Sequence, residues 1–224
     1  MAKLVFVVGK SGMGKSTSTR NLDPDKTVII NSDQKDLPFR KFKEKYNEEK
    51  GNYLQTSNAD QILRKLRGIQ EDENITTVII DTWSRIMTDE VMSKEFRTST
   101  NGMKMWANMA YKQYNLINII NQRLRDDLVV YLMCHPTIVY DESGFSKMQI
   151  AVQGKQLEKF VPESFSTIVL YAEAVKNPGE PISYQFRTVT NGEDTCKSPM
   201  GMFEEEYIEN DLVKVNEVIH SYYS

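Results

Sequence analysis

A glycine-rich segment between an apolar run and a predicted helix constrains this chain more than any other feature. The segment fits the pattern G-x-x-x-x-G-K-[ST] and reads Gly9-Lys10-Ser11-Gly12-Met13-Gly14-Lys15-Ser16. Residues 4–8 before it form a continuous apolar run, and we predict a helix over residues 15–21 after it. Because strand, loop and helix follow one another as a P-loop requires, the sequence predicts a phosphate-binding loop.

Each part of this loop has an expected task. The glycines let backbone N–H groups turn toward phosphate oxygens, and the start of the helix adds a favourable dipole. Lys15 is expected to reach the β- and γ-phosphates, and the Ser16 hydroxyl is expected to bind Mg²⁺. The predicted nucleotide-binding residues are Gly9, Lys10, Ser11, Gly12, Met13, Gly14, Lys15, Ser16 and Thr17. We therefore expect ATP and Mg²⁺ as the ligands.

Apolar runs and helical patterns alternate along the chain up to residue 135. Predicted strands cover residues 4–8, 27–30, 77–81 and 128–134, and predicted helices cover about residues 58–70 and 104–126. This alternation is typical of an α/β fold with a mainly parallel central sheet flanked by helices, in which ligands bind at the carboxyl ends of the strands. A chain of 224 residues can bury one sizeable core, so we predict a single domain over residues 1–224.

Beyond residue 135 the pattern changes to short strands, which predicts a β addition. These strands are expected at residues 137–140, 147–152, 166–171 and 182–189. The first two flank Asp141-Glu142-Ser143-Gly144, which indicates a hairpin or a long loop. A final helix is expected to begin at Asn210 or Asp211, either of which could act as its cap, and to run to His220.

Two carboxylates follow predicted strands. Asp81 closes the third strand, where a Walker B acid would orient Mg²⁺; the alternative is a simple helix cap. The next residues, 82–84, contain no glutamate, although many hydrolysing P-loop proteins carry the water-activating carboxylate there. Asp33, after the second strand, could polarise the attacking water instead. The alternative for Asp33 is an Asx turn with its side chain in solvent.

His135 ends the fourth strand and is expected to face the nucleotide as well. As a hydrogen-bond donor it could sense the γ-phosphate and pass that state to residues 137–150. The alternative is a buried histidine with a structural role only. His220 lies in the terminal helix, and we assign it no role.

The overall charge does not mark this chain as a nucleic-acid binder, because the net charge is -3. Any such contact has to come from a local patch, and the richest is residues 39–46, where cations alternate with aromatic residues. These aromatic side chains could stack on bases. The alternative is an amphipathic helix with Phe39, Phe42 and Tyr46 on its core side.

The sequence shows no apolar run long enough to cross a bilayer and no pattern of a cleaved signal peptide, so we expect a cytoplasmic protein without membrane contact. Cys134 and Cys196 could pair in principle. A reducing compartment and the lack of a CxxC spacing favour two free thiols and no metal site.

These residues together resemble the RecA-like P-loop ATPases encoded by phages, a group described as phage nucleotide-binding or Sak-type single-strand annealing proteins. The likeness spans nearly the whole chain. Beside the P-loop it rests on an ordered series of segments, namely residues 31–39, Ile79-Ile80-Asp81, Met133-Cys134-His135, Gly154-Lys155 and residues 194–203. Of these the P-loop alone is specific by itself.

The resemblance implies a RecA-like ATPase that acts on single-stranded DNA in phage recombination or replication, with other proteins of those processes as possible partners. DNA-binding loops would lie near residues 97–104 and 137–150, where the cations are Arg97, Lys104 and Lys147.

The resemblance also implies a homo-oligomer. In RecA-like assemblies a cation reaches across the subunit boundary to the neighbour's γ-phosphate, and the likeness suggests Lys155, or second Lys147, for that task. The full catalytic set expected from motif and resemblance is Lys15, Asp33, Asp81, His135 and Lys155.

Two other functions stay open at this point. Residues 10–16 nearly fit the second-lysine P-loop of partition-type ATPases, which dimerise around ATP, although Ser11 replaces a glycine. In such an enzyme Lys10 would be essential. A small-molecule or nucleotide kinase would need an arginine-rich lid, and residues 110–160 contain no such pattern.

Overall fold

Strands and helices alternate along residues 1–140 and 144–224, the part of the chain that this computed structural model describes. The strands there are β1 (Lys3–Val8), β2 (Thr27–Asn31), β3 (Tyr53–Leu54), β4 (Thr77–Asp81), β5 (Val129–Cys134), β6 (Pro136–Tyr140), β7 (Ser146–Ile150), β8 (Ile168–Val175), β9 (Ser183–Arg187) and β10 (Tyr207–Glu209). The helices are α1 (Phe42–Lys45), α2 (Ala59–Ile69), α3 (Trp83–Met92), α4 (Lys94–Thr98), α5 (Gly102–Arg123), α6 (Lys155–Glu158) and α7 (Leu212–Tyr223). Two short 3₁₀ turns cover Ser16–Thr19 and Pro162–Phe165.

One sheet contains all of these strands except β6 and β7, in the order β10-β9-β8-β1-β5-β4-β2-β3. The strands from β8 to β3 run parallel to their neighbours, whereas β9 and β10 are antiparallel. The predicted α/β fold class, with a mainly parallel central sheet flanked by helices and a C-terminal β addition, is therefore confirmed.

The central strands are apolar along their whole length because both faces of the sheet are covered. Val5 and Val7 of β1 pack in a cluster with α7, and Phe6 and Val8 pack in a second cluster with α2, α3 and α5. Residues that alternate along one strand thus enter two cores, as expected for a buried parallel strand. The strands predicted up to residue 134 and the two long predicted helices are confirmed within a few residues.

The helix predicted over residues 15–21 is wrong, since a 3₁₀ turn of four residues, Ser16–Thr19, stands in its place. The reason lies in a run of hydroxyl side chains that bond to the backbone. Ser18 Oγ donates to the Lys15 carbonyl (2.5 Å), and Thr19 Oγ1 donates to the Ser16 carbonyl (2.8 Å). Such bonds compete with the helical pattern, so a dipole from a long helix does not act on this loop.

The aromatic residues of the segment 39–46 belong to the core. Phe42 and Tyr46 are buried, and the Phe39 ring lies edge-on to both. The reading as a core-facing segment is confirmed, although α1 is only four residues long. It starts after Lys41, which adopts a left-handed conformation (φ +60°) that an α-helix cannot contain.

The segment after β5 forms a separate two-stranded antiparallel sheet of β6 and β7, as predicted. The part of the prediction that concerns Asp141–Ser143 lies outside the described residues. The terminal helix α7 is capped by Asp211, whose carboxylate accepts a hydrogen bond from the Val213 N–H (3.0 Å), and it ends at Tyr223, three residues beyond the predicted His220.

Both cysteines, Cys134 and Cys196, are buried free thiols, as predicted. Within the described ranges no helix is both long and apolar enough to cross a membrane.

Candidate active site

The carboxyl ends of neighbouring strands meet beside the glycine-rich loop. Asn31 of β2 lies opposite Asp81 of β4 in the strand register. Hydrogen bonds continue beyond the strand ends, from the Gly9 N–H to the Cys134 carbonyl (3.1 Å) and from the Ser32 N–H to the Asp81 carbonyl (2.7 Å). The residues that follow β1, β2, β4 and β5 therefore share one edge of the sheet.

The loop after β1 has a backbone shape that glycine permits. Gly12 and Gly14 have φ angles of +81° and +85°, in the left-handed region that side chains disfavour. Residues 10–12 are exposed, whereas Gly9 and Gly14 are buried and Met13 is half-buried against the core. The exposed residues of the loop thus lie between two buried glycines.

The Lys15 ammonium lies inside this loop and not in solvent. The residue is 6% exposed, and Nζ donates hydrogen bonds to the carbonyls of Gly9 (2.7 Å) and Lys10 (3.0 Å). Burial lowers the pKa of Lys15, and the negative charge of nearby Asp81 acts in the opposite direction. The loop is therefore organised around one desolvated cation.

Asp81 is buried next to this cation, and its carboxylate lies beside the Ser16 hydroxyl. Thr82 Oγ1 also donates to its Oδ1 atom (3.1 Å). Burial raises the pKa of Asp81, whereas the Ser16 hydroxyl acts in the opposite direction. The two oxygen-bearing side chains named for Mg²⁺ thus lie side by side.

The structure does not use Asp81 as a helix cap. The N-cap position of α3 is occupied by Thr82, and its side chain accepts no capping hydrogen bond. The carboxylate of Asp81 instead accepts a hydrogen bond from the Thr82 hydroxyl and lies beside the hydroxyl of Ser16. It is therefore directed toward the loop and its surroundings.

Asp33 lies at the same edge, with its backbone N–H donating to the Asp81 carbonyl (3.2 Å). Its carboxylate is 3.4 Å from Lys35 Nζ, and 25% of the side chain is exposed. The Asp33 charge also raises the pKa of Lys15 and of His135 among smaller contributions. Asp33 thus faces both the loop and water.

The turn that contains Asp33 does not depend on its side chain. Asn31 supplies the Asx-type bond, because its Oδ1 atom accepts from the Gln34 N–H (3.1 Å). The alternative in which Asp33 itself makes an Asx turn therefore does not describe this site.

His135 lies beside the loop, close enough to the Gly9 backbone for it to raise the pKa of the imidazole. Its backbone N–H donates to Ser84 Oγ (3.1 Å), and its carbonyl accepts from the Ala151 N–H (2.8 Å). The side chain is half-buried. Burial lowers the pKa of His135, and the Lys15 charge lowers it further.

Other candidate cations lie on separate elements. Lys155 is the first residue of α6 and is exposed. In the segments expected as DNA-binding loops, residues 97–104 span the end of α4 and the start of α5, and residues 137–140 and 146–150 lie in the strands of the β6–β7 hairpin. Their exposed cations are Arg97, Lys104 and Lys147.

Thr17, the last of the predicted nucleotide-binding residues, lies half-buried in the 3₁₀ turn, and its carbonyl accepts a hydrogen bond from Arg20 Nη1 (3.2 Å).

Sequence reasoning missed two residues that touch the site. Ser84 holds the His135 backbone, and the Tyr184 ring packs on Gly14, where an added Cβ would lie 2.8 Å from Tyr184 Cδ1. No local pattern could reveal either contact, since each joins segments that are far apart in sequence.

Comparison with known proteins gives a family match that contains the whole site. The family model described as AAA domain matches residues 1–199. None of the curated proteins matches the chain. Among solved structures, flagellar accessory protein FlaH from Methanocaldococcus jannaschii is 13% identical, with a TM-score of 0.45 over 92% of this chain and 83% of that chain. A KaiC-like protein from Pyrococcus horikoshii OT3 is 14% identical, with a TM-score of 0.40 over 83% of this chain and 78% of that chain.

The proximity of Lys15 to His135 gives a testable electrostatic prediction. The change Lys15→Met removes a positive charge that lowers the pKa of His135, so we expect that pKa to rise. Imidazole signals followed by NMR over a pH titration measure it, with Lys10→Met as the matched control because Lys10 is exposed. An unchanged His135 titration in Lys15→Met would contradict the described geometry.

Proposed function

Because the chain belongs to the AAA domain family, we propose that it binds ATP with Mg²⁺ at this loop and hydrolyses ATP to ADP and phosphate. The observation that carries the proposal is the position of the Ser16 hydroxyl beside the buried Asp81 carboxylate, next to the buried Lys15 ammonium. A cation for phosphate oxygens and a pair of oxygen ligands thus stand together at one sheet edge.

The oxygen pair of Ser16 and Asp81 suits Mg²⁺. This ion prefers oxygen ligands and usually takes one or two protein groups together with water and substrate phosphates. Ser16 and Asp81 would hold the ion, which supplies positive charge beside the β- and γ-phosphate oxygens when bound. The Ser16 hydroxyl would offer an oxygen lone pair to the ion.

The remaining groups act on the phosphates and on water. Lys15 Nζ exchanges the carbonyls of Gly9 and Lys10 for phosphate oxygens, because bonds between two charged groups are stronger than bonds to neutral acceptors. Asp33 accepts the proton of the attacking water, to which its partly exposed carboxylate has access. His135, which lies beside Gly9, responds to the change in charge around Lys15.

A substitution of Asp33 tests this assignment. We expect Asp33→Asn to reduce kcat by about 10² or more with little change in ATP affinity, because a carboxamide cannot accept the proton. Release of phosphate gives the rate, and calorimetry gives the affinity. Asp36→Asn is the matched control, since Asp36 is an exposed acid in the same loop, and Lys15→Ala is the inactive reference.

Hydrolysis by Asp33→Asn at the parental rate would show that another group is the base. Unchanged turnover by Lys15→Ala would contradict the proposal as a whole. Appearance of a phosphorylated acceptor in place of free phosphate would favour a kinase, and loss of turnover in Lys10→Ala would favour a partition-type ATPase.

We further propose single-stranded DNA as the partner, in phage recombination or replication in the host cytoplasm. The setting rests on the resemblance described above. The structural observation in favour of DNA is the β6–β7 hairpin, which begins directly after His135 and exposes apolar and aromatic side chains, including 73% of Tyr140. Lys147 on β7 adds an exposed cation. Aromatic faces with nearby cations are the elements of a single-strand binding surface.

Removal of the hairpin aromatic gives a direct test. We expect Tyr140→Ala to weaken binding of a labelled oligothymidine about tenfold in the presence of ATP, because stacking on one base is lost. Fluorescence anisotropy measures the affinity, and a salt titration should show it falling with ionic strength. Tyr111→Ala is the control, since Tyr111 is equally exposed on α5. Equal binding by both variants and the parental chain would exclude the hairpin as the DNA surface.

We also propose that Lys155 acts across a subunit boundary in a homo-oligomer, with Lys147 as the second candidate. Lys155 is exposed at the start of α6, so a neighbouring copy can reach it. Its charge would stabilise the transition state at the neighbour's γ-phosphate.

A mixing experiment tests the role of Lys155. We expect Lys155→Ala to bind ATP normally and to hydrolyse it on the order of 10³-fold more slowly, as for comparable trans-acting cations. A mixture with Lys15→Ala should regain activity, because some interfaces then carry one intact copy of each residue. Lys159→Ala, from the same exposed turn, serves as control. A mixture that stays inactive while subunits exchange would exclude a trans role.

A further inference from the structure

The groups assigned to the terminal phosphate all lie on one side of the P-loop strand. Asp33, Asp81 and His135 follow β2, β4 and β5, which succeed one another on the same side of β1. The other neighbour of β1 is β8. A triphosphate whose terminal group meets those residues therefore has its α-phosphate and nucleoside directed away from them, toward the side of β8.

On that side β8 and β9 extend beyond the end of β1. The last register pair of β1 with β8 is Val8 with Tyr171, whereas β8 continues to Val175 and pairs with β9 as far as Ser183. This extension runs beside the P-loop: a Cβ added at Gly9 would lie 2.9 Å from the Ala172 carbonyl oxygen. The loop is thus bordered by a two-stranded wall.

Tyr184 is the aromatic residue that this wall presents to the loop. A Cβ added at Gly14 would lie 2.8 Å from Cδ1 and 2.9 Å from Cγ of its ring, so the ring packs directly on the Gly14 backbone. The residue is nevertheless 37% exposed. In the described part of the chain its ring has no aromatic neighbour and its hydroxyl no hydrogen bond.

The side chains next to this ring are small and leave room beside it. Its cross-strand partner on β8 is Ala174, and Ala172 precedes that residue on the same face of the strand. Phe186, two residues after Tyr184, is fully buried in the core and anchors β9 below the exposed ring. An open aromatic ring on a fixed strand, next to small side chains, is suited to receive a flat ligand.

We propose that Tyr184 is the platform on which the base of a bound nucleoside triphosphate stacks. This inference rests on the proposed function, because it assumes that the P-loop holds the phosphates. Stacking uses the π-face that every base has, so the platform increases affinity for nucleoside triphosphates in general and does not select adenine.

A comparison of ligands with and without a base tests the platform. We expect Tyr184→Ala to bind Mg–ATP about tenfold more weakly than the parental chain, by loss of one stacked base, and to bind inorganic tripolyphosphate with unchanged affinity. Tyr184→Phe should bind both ligands like the parental chain. Tyr207→Ala is the control, because Tyr207 is similarly exposed on β10. Isothermal titration calorimetry measures all affinities.

Several outcomes would overturn the inference. Equal weakening of ATP and tripolyphosphate in Tyr184→Ala would show that the ring only shapes the loop at Gly14. Unchanged affinity for both ligands would show that the base lies elsewhere. If the parental chain binds ATP no more tightly than tripolyphosphate, a base platform is excluded while the phosphate site is left intact. A parental chain that binds neither ligand would overturn the proposed function, and this inference with it.

Discussion

The buried ammonium of Lys15 is the constraint around which the candidate site is built. A desolvated cation is costly unless partners surround it, and here the carbonyls of Gly9 and Lys10 together with the charge of Asp81 provide them. The left-handed glycines allow the loop to close around this cation, and the parallel strands bring the buried carboxylate next to it. The same cation lowers the pKa of His135 and so connects the phosphate loop with β5.

Much of the fold could be predicted from the sequence, because the central strands are continuous apolar runs and such runs are typical of parallel strands that are buried on both faces. The 3₁₀ turn after the P-loop could not, since the hydroxyls of Ser18 and Thr19 satisfy backbone carbonyls locally. Helix α3 is not among the predicted helices, and its N-cap residue Thr82 makes no side-chain capping bond. Short elements such as β3 and β10 depend on pairing with neighbouring strands more than on their own residues.

The candidate site divides in the same way. Asp33, Asp81 and His135 could be placed at one edge from sequence, because each follows a predicted parallel strand and such strands end together. Ser84 and Tyr184 could not, because their contacts join parts of the chain that only the folded sheet brings together. The task of Lys155 stays a prediction, since it concerns a neighbouring copy.

The attachment of the β6–β7 hairpin has a mechanical consequence. Its first strand leaves from His135, and the residue after its second strand, Ala151, bonds back to the carbonyl of that same histidine. The second strand is also held farther out, because the Ile150 N–H donates to Glu163 Oε1 (2.6 Å) and the Met148 N–H donates to the Glu193 carbonyl (2.7 Å). With five residues in β6 and about 3.3 Å of rise per residue, Tyr140 lies roughly 16 Å from His135, so this fastened hairpin connects the edge of the phosphate loop with a surface at that distance.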